Sequence, residues 1–176
     1  MSALSKRNQL ARRSCRNPMR GFDFRSQTVT TQHFDILIHA PPETVWRTML
    51  FSPTYEAWTS AFCEGSRYEG SWDAGQTIRF VGPNGEGMVS VIAEHRPAEC
   101  VSIRHLGMIA QGVEDTTSEA VRAWAPCHEN YHFIAEAGGT RLRVAADVFG
   151  SYEAYMAETW PRALALLKTL CEGAPS

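Results

Sequence analysis

The chain has 176 residues, of which 44% are hydrophobic, 20% charged and 10% aromatic. That is the length of one domain and the composition of a folded chain, which excludes a wholly disordered, collagen-like or coiled-coil protein. No run approaches the roughly 18 uninterrupted apolar residues of a membrane span, and a net charge of −2 points away from nucleic acid as a partner.

The charge is unevenly placed. Residues 1–30 carry seven basic residues, from Lys6 to Arg25, against Asp23 alone, whereas residues 31–176 carry ten basic and eighteen acidic residues. The chain reads as a basic extension (1–30) on a single acidic domain (31–173). The extension has too few apolar side chains to offset its own ordering cost, so it is expected to be disordered. The five cysteines, Cys15, Cys63, Cys100, Cys127 and Cys171, are odd in number and show no C-x-x-C spacing. With no apolar leader at the start, they are expected to be reduced and mostly buried, in a cytoplasmic protein.

From Thr31 onward Phe34, Ile36 and Ile38 alternate with polar or less buried positions, which predicts a strand. Pro41-Pro42-Glu43 ends it and opens a helix over 43–51, because proline suits a first helical turn and Glu43 complements its positive end. Ser52-Pro53 closes that helix, and a second short one over 53–59 carries Tyr55 and Trp58. Strands are predicted at 66–72, with Tyr68, Gly70 and Trp72 on one face, and at 76–81, with Ile78 and Phe80 on one face. Gly82-Pro83-Asn84-Gly85 is a turn. Residues 87–95 form a strand whose buried parity the pattern does not assign. Residues 100–106 place Val101, Ile103 and His105 on one face. The stretch 107–127 shows no clear strand period and is the length of a lid or a disordered loop, with Ser118–Ala125 open to a short helix or strand. Strands at 129–135 and 141–148 follow, joined at Gly138-Gly139. From Tyr152 to Cys171 the apolar residues fall at helical spacing, which predicts one long amphipathic helix, kinked near Ala157–Trp160 by Pro161.

The order is one strand, two short helices, about six further strands and a long C-terminal helix. It predicts an α+β fold in which a curved antiparallel sheet of about 6–7 strands wraps the long helix. This order resembles the SRPBCC (START/Bet-v-like, helix-grip) superfamily, in the branch of the C-terminal domain of the activator of the Hsp90 ATPase. The residues that carry the resemblance are Ile38-His-Ala-Pro-Pro-Glu-Thr-Val-Trp46, Trp58, Gly65-Ser-Arg-Tyr-Glu-Gly-Ser-Trp72, Ile78-Arg-Phe80, Gly87-Met88, Trp160-Pro-Arg-Ala-Leu164 and Leu167-Lys168. It covers roughly residues 32–172. It implies a hydrophobic cavity between sheet and long helix and names no ligand, because the superfamily hosts carriers, receptors, cyclases and co-chaperone domains.

His128-Glu129-Asn130-Tyr131-His132 matches the His-Glu-x-x-His zinc signature, but that chemistry needs a helix. On a strand the two imidazoles stand about 13 Å apart, too far to share one zinc at about 2.1 Å. No metal or cofactor site is therefore expected. Gly82–Gly87 lacks the Lys-Ser/Thr of a phosphate loop, and no G-x-S-x-G elbow occurs. The strongest constellation is aromatic, the kind a small-molecule pocket uses. Trp58, Tyr68, Trp72, Phe80, Ile103, His105, Trp124, Tyr131, Phe133, Met156 and Trp160 are the candidate cavity residues. The expected function is binding of a small apolar or amphipathic molecule. The alternatives are a cyclase or dehydratase with His105 or a nearby carboxylate as acid–base, and, by resemblance, a co-chaperone with a chaperone partner.

Overall fold

The structure is a computed structural model that describes residues 28–173. Residues 1–27, most of the expected basic extension, lie outside the described residues.

β1 (Val29–Ile38) is followed by α1 (Pro42–Leu50) and α2 (Ser52–Thr59), with proline in the first turn of each helix. β2 (Arg67–Gly70), β3 (Thr77–Val81), β4 (Gly87–Arg96), β5 (Cys100–Ala110) and β6 (Val113–Asp115) come next. A one-turn helix, α3 (Glu119–Arg122), precedes β7 (Cys127–Glu136), β8 (Gly139–Phe149) and α4 (Glu153–Gly173). The eight strands form one antiparallel, curved sheet in the order β1-β8-β7-β5-β4-β3-β2, with β6 added beside β5. The predicted fold class holds, with one strand more than expected.

The extra strand lies in 107–127, which is therefore not a structureless lid. β5 runs on to Ala110 and turns back through Gln111 and Gly112 at φ +53° and +76°. Two successive left-handed residues match the twist of a hairpin turn. Gly107 permits the return, because a Cβ there would meet the Asp115 carbonyl oxygen at 2.0 Å. Ser118 then caps α3 by accepting from the Val121 N–H at 3.2 Å.

β4 resisted a parity assignment because its register shifts twice, between Val89 and Ser90 and between Ile92 and Glu94. A bulge turns consecutive residues to the same side of the ladder, so no single alternation fits the strand. Val89 joins a small cluster with Val81 and Ile109, while Ser90 is wholly buried beside His105.

α4 lies across the concave face and packs on β1, α1 and α2. Its buried stripe is Trp160, Ala163, Leu164, Leu167 and Cys171, the spacing of one helical face. Each fully buried leucine contributes about 1.5–3 kcal/mol, enough together to offset the roughly 3 kcal/mol cost of Pro161 within the helix. The ring of Pro161 is on the exposed side, and the helix runs through it to Gly173. Near its end Lys168 Nζ donates to the Leu37 carbonyl oxygen at 2.6 Å, and Glu172 Oε1 accepts the His39 N–H at 2.8 Å. The first bond goes to β1 backbone and the second to the residue that follows β1, so the end of the helix also covers part of the open edge of the sheet.

Cys100, Cys127 and Cys171 are free and buried, as expected, and burial pushes the Cys171 thiol up to about 11. No described helix is long and apolar enough to cross a membrane.

Candidate functional site

The concave face and the two short helices enclose a continuous network of aromatic rings. Tyr55 is at its centre, with centroids 5.4 Å from Trp58, 5.1 Å from Tyr68, 6.1 Å from Trp72 and 6.2 Å from Phe80. Trp160 anchors the deep end, 5.7 Å from Phe34, 6.2 Å from Trp58, 5.1 Å from Phe62 and 6.4 Å from Tyr131. Phe80 reaches the imidazole of His105 at 6.0 Å. The edge-to-face arrangement of several of these pairs is the one favoured by ring quadrupoles.

Of the eleven candidate residues, Trp58, Tyr68, Trp72, Phe80, His105, Tyr131 and Trp160 belong to this ring network, and Ile103, Phe133 and Met156 pack in the same cluster. Trp124 stands apart, in a cluster with Val121, Cys127, Met108 and Phe149. Tyr68, Trp72 and Phe80 are half-buried, whereas Trp58 and Trp160 are buried, so the network grades from a rim at β2–β3 to a floor under α4.

The rim is pinned by polar bonds. Tyr68 Oη donates to the Leu50 carbonyl oxygen at 2.9 Å. Trp46 Nε1 donates to His95 Nε2 at 2.9 Å, and His95 Nδ1 lies 2.7 Å from the Trp72 carbonyl oxygen. Because Nε2 accepts, Nδ1 carries the proton and donates to that carbonyl. Helix α1, strand β4 and the segment bearing Trp72 are thus joined in one chain of bonds.

The interior is not wholly apolar. The sheet register sets Glu129 opposite Ile103 and Ser90 opposite His105, which makes His105 and Glu129 diagonal neighbours. Ser90 Oγ lies 2.8 Å from His105 Nδ1, and His105 Nε2 lies 3.9 Å from Glu129 Oε2. Tyr131 Oη donates to Glu129 Oε1. Burial, then the Glu129 charge and the neighbouring Tyr55, hold the Tyr131 phenol well above its usual value, so it stays protonated and able to donate. Burial, followed by Glu129 and Tyr68, raises Tyr55 as well. Two indole N–H groups in the network, of Trp72 and Trp160, are buried and have no hydrogen-bond acceptor among the described residues.

The His-Glu-x-x-His stretch lies on β7, with His132 exposed and Glu129 on the interior face with Tyr131 and Phe133. His128 Nδ1 is 3.5 Å from Asp147 Oδ2 on the other face of the sheet. The motif's carboxylate and imidazoles thus point in opposite directions. Among the described residues no group of three or more His, Cys, Asp or Glu stands close enough to hold a metal ion.

Sequence reading missed Tyr55, Ser90 and Glu129 as site residues. Glu129 was visible in principle, since it shares the parity of Tyr131 and Phe133; Ser90 was hidden by the bulge. Gly70 is also unsuited to being filled with a larger side chain. Its φ is +120°, and a Cβ would lie 2.6 Å from the Thr77 carbonyl oxygen, so a substitution would strain the β2–β3 hairpin instead of filling the interior.

No protein-family model and no curated protein matches the chain. Solved structures do. A protein from Mesorhizobium loti superposes with a TM-score of 0.64 at 15% identity, over 84% of this chain and all of that one. The chain has the helix-grip fold. The Aha1 dimer from Colwellia psychrerythraea is similar at TM-score 0.60 and 18% identity, over 81% of this chain and 96% of that one. DynU16, a protein in the dynemicin biosynthetic locus, is similar at TM-score 0.61 and 17% identity, over 82% of this chain and 48% of that one. At these identities the likeness is one of helix-grip fold, and the chemistry of the interior is this chain's own.

Proposed function

We propose that this helix-grip domain binds one small amphipathic molecule between the sheet and α4, in an SRPBCC-type protein. The observation that carries the reading is the polar content of the aromatic interior. Rings from Tyr55 to Trp160 offer apolar contact area, and a few fixed polar groups lie among them: the Trp72 and Trp160 indole N–H groups, the Glu129 carboxylate and His105. Ligand sites are built in this way, from apolar walls with a small number of orienting polar groups. A buried donor without an acceptor costs about 1–3 kcal/mol, and a bound molecule with an acceptor atom recovers that cost.

Titration with the neutral dye Nile red tests the reading. Saturable 1:1 binding is expected, weakened about tenfold in Trp72→Ala, the loss of roughly 1.4 kcal/mol of aromatic contact. Trp72 is half-buried at the rim, so its truncation spares the floor of the core. Absence of saturable binding, or binding indifferent to Trp72→Ala, would overturn it.

A second reading, an acid–base enzyme of the cyclase or dehydratase type, is favoured by one observation. Two ionisable side chains, His105 and Glu129, face the interior side by side. Ser90 holding Nδ1 leaves Nε2 turned to the site, the placement a proton-transfer group needs.

A further inference from the structure

We infer that the interior site selects a cationic amphiphile, an aryl-alkyl amine, and rejects carboxylates; the inference rests on the ligand-binding reading above. It starts from the partners of Glu129. Its side chain is 17% exposed, the most buried carboxylate of the described ion pairs. Most of the other paired carboxylates face an arginine or lysine: Glu43 faces Arg47, Glu69 faces Arg67, Glu114 faces Arg79 and Glu172 faces Lys168. Among the described residues Glu129 pairs only with His105, at 3.9 Å, beyond hydrogen-bonding reach.

Tyr131 satisfies one oxygen of the carboxylate, Oε1. The second, Oε2, is the atom turned toward His105. A carboxylate removed from water is costly unless a cation or several donors face it. An ammonium group between Oε2 and the surrounding rings would supply that cation. Tyr55, Tyr131 and Phe80 present aromatic surface nearby, and ring faces attract cations.

The same electrostatics work against an anion. A fatty-acid or aryl-acid headgroup would place like charge beside Glu129, which among the described residues has no arginine or lysine paired with it, and specificity is made by such repulsion as much as by attraction.

Three probes of one shape, tryptamine, tryptophol and indoleacetate, separate the charge states by calorimetric titration of the intact chain at pH 7.5. Tryptamine is expected to bind at least about tenfold tighter than tryptophol, with indoleacetate weakest. In Glu129→Gln the advantage of tryptamine over tryptophol is expected to vanish. The series on the unaltered chain is a complete test even if that variant folds poorly. Equal affinities for tryptamine and tryptophol, or tightest binding of indoleacetate, would overturn the amine preference and leave ligand binding standing. Failure of all three probes would also overturn it, and the Nile red titration then decides separately whether the ligand-binding reading survives.

Discussion

Trp160→Ala is expected to lower the free energy of unfolding by about 3–5 kcal/mol, the range for truncating a large buried aromatic side chain. Trp160 is 1% exposed and is the only described side chain whose ring meets Phe34, Trp58, Phe62 and Tyr131 together. Removing it leaves a void where α4, α2, β1 and β7 converge, and a close-packed interior refills such a void only in part. Trp160→Phe should behave differently. The indole N–H makes no hydrogen bond among the described residues, so the phenylalanine gives up volume but also removes a desolvated donor. We expect a cost of about 1–2 kcal/mol, near that of a modest volume change. Urea unfolding of the three chains, followed by circular dichroism, separates the two effects. A Trp160→Phe variant as unstable as Trp160→Ala would mean that the indole nitrogen has a partner in the folded state.

Tyr131→Phe is the second large effect. The substitution conserves the ring and its contact with Trp160 but removes the donor that Glu129 Oε1 accepts. The carboxylate, 17% exposed, is then left with the His105 imidazole, at 3.9 Å, as its one ion-pair neighbour among the described residues. Loss of a hydrogen bond to a charged group costs about 1.5–3 kcal/mol, and more where the stranded group is buried. Glu129→Gln should cost less than about 1 kcal/mol, because the amide oxygen still accepts from Tyr131 while the buried charge disappears. The double variant Tyr131→Phe with Glu129→Leu should regain most of the loss, since replacing both partners by apolar groups can be nearly neutral. Equal destabilisation by Tyr131→Phe and Glu129→Gln would contradict the assignment of Glu129 as the buried charge that needs a donor.

Much of the fold was legible because its signals are local. Phe34, Ile36 and Ile38 alternate, Pro42 and Pro53 sit where helices begin, and the stripe from Trp160 to Cys171 has helical period; each signal reports one element's contact with the core. The β5–β6 hairpin was not legible. Its turn, Gln111-Gly112, lacks the asparagine or aspartate that usually announces two left-handed residues, and three-residue β6 is too short for alternation. β4 failed for another reason: its bulges break the period of two that parity reading assumes. The aromatic half of the site could be named from composition and parity, since large rings on inward positions have few places to go except one core. The polar half depends on register. Whether Ser90, His105 and Glu129 meet is set by pairings between strands distant in sequence, and no local pattern carries that information. Trp124 shows the opposite error. Its residue type suited the site, but α3 turns it toward Phe149.

In the proposed complex a small molecule sits among the rings between the sheet and α4. The most direct measurement is a proton–nitrogen correlation spectrum of the indole N–H groups during titration with tryptophol. The chain has five tryptophans, so five resolved reporters cover the rim, the floor and the separate cluster. Progressive, saturable shifts of the Trp72 and Trp160 resonances are expected, because both indoles belong to the ring network, with the resonance of Trp124, whose N–H also lacks an acceptor among the described residues but which stands in a separate cluster, unmoved. Unchanged Trp72 and Trp160 resonances at saturating tryptophol, or a shift confined to Trp124, would contradict it.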